Sequence, residues 1–290
     1  MRAFAFILAV LAGPAAAAGF SAQFVTASAA VVSRPHDLAL SRDGRFLYVA
    51  DLGNDAVTVL DADSLKLLGR IAEAELGAPH DVAFDRDGRL LVADTRNNRV
   101  AILEVDGARG RIVDELTEGL GGPEGVAQGP DGTVYVTNVG LGNVVAFRGG
   151  KKVGAAGGHG SGSKQFSRPH DVEVGADGTV YVIDSGNDRI QVLGPDLAFR
   201  REIKGPPFDL NDPKYLYIDE GRRLWIADQR SNRIKVFDRE LRPVGAIGSG
   251  RAGAAPGEIN NPEGVLRAGE RVWISDTYND RIVRYRVSMP

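Results

Sequence analysis

Cysteine is absent from all 290 residues of the chain. Disulfides therefore contribute nothing to its stability, and no lipid-acceptor cysteine stands behind the N-terminal segment. A basic excess is also missing. With 35 Lys and Arg against 38 Asp and Glu the formal net charge is −3, which excludes a protein that grips nucleic acid mainly by neutralising phosphates. Long apolar runs are lacking too: the longest leading stretch, Ala3 to Leu11, is too short to span a bilayer. No nucleophile elbow, phosphate loop or hydrolase triad can be found. Histidine is scarce, with four residues, and tryptophan scarcer, with two, so the positions of these few carry weight.

The first residues, "MRAFAFILAVLAGPAAAAGF", combine one positive charge at Arg2, a short apolar core, a Gly-Pro break and a run of small residues. This is the pattern of a cleaved export signal, with Ala16 and Ala18 forming the small-x-small site. The expected domain division is residues 1–18 as signal peptide and 19–290 as a single domain. The mature protein is expected to be periplasmic or secreted, without stable membrane insertion.

One phrase recurs six times. It reads "RPHDLALSRDGRFLYVAD" from Arg34, "APHDVAFDRDGRLLVAD" from Ala78, "GPEGVAQGPDGTVYVTN" from Gly122 and "RPHDVEVGADGTVYVID" from Arg168, with weaker copies "DPKYLYIDEGRRLWIAD" from Asp212 and "NPEGVLRAGERVWISD" from Asn261. A spacing of about 44 to 49 residues belongs to propeller blades rather than to short solenoid repeats. In each copy a short apolar strand follows the proline, and Asp-Gly pairs such as Asp43-Gly44 supply a tight hairpin in four copies. The next strand carries one bulky column, Tyr48, Leu91, Tyr135, Tyr181, Trp225 and Trp273, which is read as packing between blades. It ends at Asp51, Asp94, Asn138, Asp184, Asp228 or Asp276, before a polar hairpin such as "DTRNNR" or "DSGNDR". In that hairpin Arg99, Arg189, Arg233 and Arg281 are expected to pair with the aspartates. Blade three breaks the pattern with "NVGLGN", so its hairpin is expected to be the least well fastened.

These features together resemble the NHL repeat over residues 34 to about 287. The resemblance implies an all-β, six-bladed β-propeller. The last copy has room for only three strands after its proline, and residues 20–33 carry β-formers at Phe24, Val25, Val31 and Val32. The N-terminal strand is therefore expected to close the last blade, covering its open edge.

Because strands within a blade are antiparallel, the post-proline residues and the polar hairpins share one face of the disc. Around the ring the post-proline residues are His36, His80, Glu124, His170, Lys214 and Glu263, so three of the four histidines occupy one repeat position. At steps of about 60°, alternate blades place His80, His170 and Glu263 about 120° apart, the makings of an open zinc site. A competing arrangement sets His36 and His80 together as neighbours. With the alternate-blade set, His36, Glu124 and Lys214 would contact ligand from the intervening blades.

The Pro-His context of His80 and His170 is similar to that of the peptidyl-amidoglycolate lyases, NHL propellers whose zinc is held by three histidines from alternate blades. Glu263 stands where that family has its third histidine, and Tyr215, Arg34, Arg168 and Lys214 are the candidates for catalytic roles. No match is found to the carboxylate-rich calcium site of gluconolactonase-type propellers. Two readings stay open: a propeller binding a peptide, protein or small molecule at its central mouth, and a zinc-dependent lyase or hydrolase using the same mouth.

Overall fold

The computed structural model describes residues 19–289. The expected signal peptide, residues 1–18, lies outside the described residues. Six four-stranded antiparallel sheets follow one another around a ring. The N-terminal strand is β1, Ser21–Ala27. Blade one is β2 Pro35–Leu40, β3 Phe46–Asp51, β4 Ala56–Asp61 and β5 Leu67–Ile71. Blade two is β6 Pro79–Phe84, β7 Leu90–Asp94, β8 Arg99–Asp106 and β9 Arg109–Leu116. Blade three is β10 Pro123–Gln128, β11 Val134–Asn138, β12 Asn143–Arg148 and β13 Lys151–Gly157. Blade four is β14 Pro169–Val174, β15 Val180–Asp184, β16 Arg189–Leu193 and β17 Phe199–Ile203. Blade five is β18 Pro213–Ile218, β19 Leu224–Asp228, β20 Arg233–Phe237 and β21 Pro243–Ile247.

Blade six has only β22 Val265–Ala268, β23 Arg271–Asp276 and β24 Arg281–Ser288 from the C-terminal end of the chain. Its fourth, outer strand is β1, antiparallel to β24 with Ser21 opposite Ser288 and Ala27 opposite Val283. The expected closure is what the structure contains. Phe24 meets the ring of Tyr285 edge-on at 5.7 Å between centroids, so the added strand also packs into the blade.

The bulky column lies between blades, as its regular spacing indicates. Tyr48, Leu91, Tyr135, Trp225 and Trp273 are buried, and only Tyr181 is partly exposed. Three of their polar ends are satisfied across seams: Tyr48 Oη donates to the Gly107 carbonyl at 2.8 Å, Tyr135 Oη to Pro195 at 2.8 Å, and Trp273 Nε1 to Ala62 at 2.7 Å, while Trp225 Nε1 donates to Asp219 of its own blade at 3.1 Å.

A polar collar fastens the other face. At the end of the second strand in all six blades a carboxylate or amide oxygen accepts the backbone N–H two residues before that blade's proline, at 2.6 to 3.0 Å. The hairpin that follows ends on a left-handed residue: Asp55, Asn98, Gly142, Asp188, Asn232 or Asp280. In five of these the side chain accepts the pre-proline N–H of the next blade at 2.7 to 2.9 Å, a latch across the seam. Gly142 has no side chain to do so, and the blade three to four seam is the unlatched one among the described residues. A Cβ on Gly142 would sit 2.8 Å from the His159 backbone nitrogen, so the returning chain there requires glycine.

Arg99, Arg189 and Arg281 pair with Asp94, Asp184 and Asp276 at 2.7 to 2.8 Å. Arg233 does not fill the corresponding role. Lys235, two residues along the same strand and on the same side of it, takes Asp228 at 2.7 Å, and Arg233 instead reaches the Ser249 carbonyl.

Candidate functional site

The residue before each proline adopts a left-handed conformation, with φ between 47° and 63°, and five of these six residues are not glycine. Such strain persists only where surrounding bonds over-determine it, and the collar provides those bonds. In blades one to five the pairing register then slips immediately after the proline. A bulge of this kind re-aims a side chain, and here it turns the post-proline residues toward the axis. Hydroxyls from alternate blades fix the neighbouring backbone: Thr95 donates to the Pro123 carbonyl, Ser185 to Pro213 and Thr277 to Pro35.

Five of the six sequence-predicted mouth residues meet directly. His36 Nε2 lies 2.9 Å from Glu263 Oε2, and His170 Nε2 lies 3.8 Å from the same oxygen and 3.6 Å from Glu124 Oε2. His80 Nε2 is 3.7 Å from Glu124 Oε1. The rings of His36 and His80 are 4.7 Å apart. Lys214 is buried, and its nearest ionic partner is Asp212 at 3.4 Å.

His36, His170 and Glu263 each bring a donor atom within 4.8 Å of the other two, and all three are buried. This set differs from the alternate-blade trio: His36 stands where His80 was expected. Angular spacing alone ignores where each side chain is tethered. His80 Nδ1 is held by the Ala78 carbonyl at 2.9 Å and by Thr95 Oγ1 at 2.8 Å, which turns its Nε2 toward Glu124. His36 is tethered through Nδ1 to the Arg34 carbonyl at 2.9 Å and faces its immediate neighbour across the closing seam, Glu263.

The other candidates are also placed. Tyr215 crosses the ring from blade five to blade two, donating its phenol to the His80 carbonyl at 2.7 Å with its ring 4.9 Å from His170. It forms the floor of the mouth. Arg168 binds Asp212 at 3.0 Å, and Arg34 is exposed beside His36.

Of the residues that follow the mouth positions, sequence reasoning singled out Tyr215 and missed Asp37, Asp81, Gly125, Asp171 and Gly264. The glycines of the "PEG" copies are there because the next blade's chain passes over them. A Cβ on Gly125 would lie 2.6 Å from Asp171 Cα, and one on Gly264 2.4 Å from the His36 carbonyl oxygen. The aspartates of the "PHD" copies serve the seams. Asp81 accepts the Val126 N–H at 2.6 Å and Asp171 the Leu216 N–H at 2.8 Å. Gln229 was missed as well; its amide donates to Glu263 Oε1 at 2.6 Å.

Burial and charge set the protonation pattern. Burial opposes charge on His36, but Glu263 and the Arg34 carbonyl outweigh it and raise its pKa. Burial pushes Glu263 upward, and the His36 charge reverses this and holds it below the usual carboxylate range. Burial, helped by His36, pushes His80 down to about 3, while burial and Lys214 push His170 well below its ordinary value. Burial lifts Glu124 to about 7 despite Lys214. Beneath them burial lifts Asp37 and Asp171 well above the carboxylate range and Asp81 to about 6.

An NHL-repeat family matches residues 166–193, and a family described as Lactonase, 7-bladed beta-propeller, matches residues 16–128. The chain is a six-bladed β-propeller, and an NHL repeat is matched in its fourth blade. Among curated proteins this propeller is 30% identical over 123 residues to the NHL repeat-containing protein 3 of Mus musculus, a match taking in 40% of this chain and 34% of that one. It thus spans about a third of that relative's length. Among solved structures it is similar to the virginiamycin B lyase of Staphylococcus aureus, with TM-score 0.64, 15% identity, and coverage of 92% of this chain and 99% of that one. An auxiliary nutrient binding protein from Bacteroides ovatus gives TM-score 0.65 and 13% identity, covering 87% and 69%. At these identities the structures share the propeller's fold.

Among the described residues no helix is long and apolar enough to cross a membrane. A surface cavity of about 520 Å³ lies between blades two and three, lined by Asp85, Arg86, Asp131 and Arg148. It has none of the mouth residues.

Proposed function

We propose that this is an exported propeller that binds a small molecule or peptide at its hairpin-face mouth, around a divalent metal ion held by His36, His170 and Glu263. One observation carries the reading. The donor atoms of His36, His170 and Glu263 converge within 4.8 Å of one another with all three residues buried, His36 Nε2 pairing with Glu263 Oε2 at 2.9 Å and His170 Nε2 standing 3.8 Å from the same oxygen. A cation shared by the three would take the place of the proton in the His36–Glu263 pair and engage His170 as well. On binding metal His36 would give up the Nε2 proton that otherwise pairs with Glu263, while its Nδ1 stays tethered to the Arg34 carbonyl, the usual support of a metal-bound imidazole. Two nitrogens and one carboxylate suit zinc.

A second reading, a zinc-dependent lyase or hydrolase, is supported by Glu124. Its carboxyl, pushed up to about 7, is poised to give or take a proton near neutral pH, and the bare Nε2 of His80 lies beside it. When bound, zinc would supply Lewis-acid polarisation of an oxygen on the ligand. In either reading Tyr215 closes the floor, so ligand enters from the hairpin face. The virginiamycin B lyase shares the fold and lends this second reading general support.

The test is elemental analysis of gently purified mature protein, with melting curves before and after chelation. About one zinc per chain and a higher melting temperature for the loaded form are expected. Well under one metal per chain, with added zinc leaving the curve unmoved, would overturn the metal reading and leave a binding propeller.

A further inference from the structure

The blade four to five quadrant of the mouth gathers more positive charge than it balances. Asp212 is buried and receives three cations: Arg168 Nη2 at 3.0 Å, Lys214 Nζ at 3.4 Å and Arg230 Nε at 3.3 Å. Asp188, exposed and bonded to the Asp212 N–H, is the other carboxylate at this point. Within this quadrant three cations face two anions; Glu263 is balanced by His36, and Glu124 offsets part of the remaining positive excess. Lys214 is the most exacting of the three. Its side chain is 9% exposed and its only ionic partner stands at a distance too long for a good hydrogen bond. Arg168, with its side chain 49% exposed, leaves much of its donor fork facing solvent.

Lys214 is also placed between two of the metal donors, because in ring order it falls between His170 and Glu263. A ligand group bound to it would lie next to the metal position. The rest of the ligand would extend toward His80 and Glu124, whose side chains are 14% and 13% exposed and form the more open part of the ring.

From this geometry we infer that the mouth selects a ligand carrying a single carboxylate, held by Lys214 and Arg168. The inference rests on the mouth being the ligand site and adds the ligand's chemical class. A positive excess of at most about one unit suits a monoanion better than a dianionic phosphate. Glu124 and Glu263 on the neighbouring blades repel any anion, so the carboxylate is confined to the Lys214 side.

The test uses the full mature protein, zinc-loaded and chelated, with benzoate, benzamide and inorganic phosphate as probes in isothermal titration. Benzoate is expected to bind at least ten-fold more tightly than benzamide, and more tightly than phosphate, in both forms. Lys214→Met should abolish the preference, Arg168→Met should weaken it several-fold, and Lys214→Arg should restore part of it. Should Lys214→Met fail to fold, Arg168→Met carries the test, because its half-exposed side chain supports little of the core. Equal affinity for benzoate and benzamide, a preference that survives both Met substitutions, or tighter binding of phosphate would each overturn the inference. A benzoate preference in protein that takes up no added zinc would sustain it while removing the metal reading.

Discussion

The collar of polar hairpins and the ring of mouth residues occupy the same face, a few residues apart in every repeat, yet they obey opposite rules. In the collar one solution is repeated: a strand-end Asp or Asn pins its own blade six times, and a left-handed residue latches the next blade five times. In the mouth the sequence His, His, Glu, His, Lys, Glu has no period. A position that only maintains the ring can be the same in every blade, since each seam poses the same problem. Six side chains that meet at one axis share a single environment, and their differences specify what that environment binds.

Breaking ring closure should have the largest effect. Deleting residues 19–27 strips β1 from β24 and uncovers Tyr285, Val283 and Val287, so the melting temperature should fall by more than 10 °C or folding should fail; an unchanged melt would show that blade six does not need its fourth strand. Next comes the collar. Asp184→Ala leaves the buried Arg189 guanidinium without its inner partner and should cost about 3–5 kcal/mol in chemical denaturation. Asn138→Ala in the uncharged blade-three copy should cost only about 1–2 kcal/mol. Equal losses would erase the distinction between the charged and uncharged copies.

Gly142→Asn, which restores the consensus latch residue, should destabilise by about 1–3 kcal/mol, because the His159 backbone occupies its space. A gain in stability would show that the unlatched seam is an accident of sequence. The smallest effect concerns pH in chelated protein. Glu124, lifted to about 7, binds more protons folded than unfolded as pH falls from 8 to 6.5, as does His36 with its raised pKa. Stability should therefore rise over that window, measured by calorimetry. His80 and His170, depressed in the fold, bind fewer protons folded than unfolded as pH falls through about 6.5, so they oppose the trend increasingly toward the lower end of the window and beyond it. A flat profile from pH 8 to 6.5 would contradict the assigned shifts.

The ring, its blade count and its closing strand could be read from the sequence because repetition reports local rules copied six times. The membership of the mouth was legible for the same reason: one repeat position, next to a proline. Which of its members meet was not. That depends on tethers such as Thr95 on His80 and Gln229 on Glu263, contributed by hairpins of the same or preceding blade. Arg233 illustrates the same limit within the collar, where Lys235 displaces it from Asp228 although the repeat pattern pointed to arginine. The glycines after Glu124 and Glu263 look like neutral variants until the neighbouring chain is seen passing over them.

Zinc affinity in two single variants tests the central claim most directly. The contacts at the mouth place His36, and not His80, with His170 and Glu263. Competition titration of zinc with a chromophoric chelator should therefore give His36→Ala at least 100-fold weaker binding than wild type, with His80→Ala within a few-fold of it. The reverse order, with His80→Ala abolishing binding while His36→Ala retains it, would contradict the account.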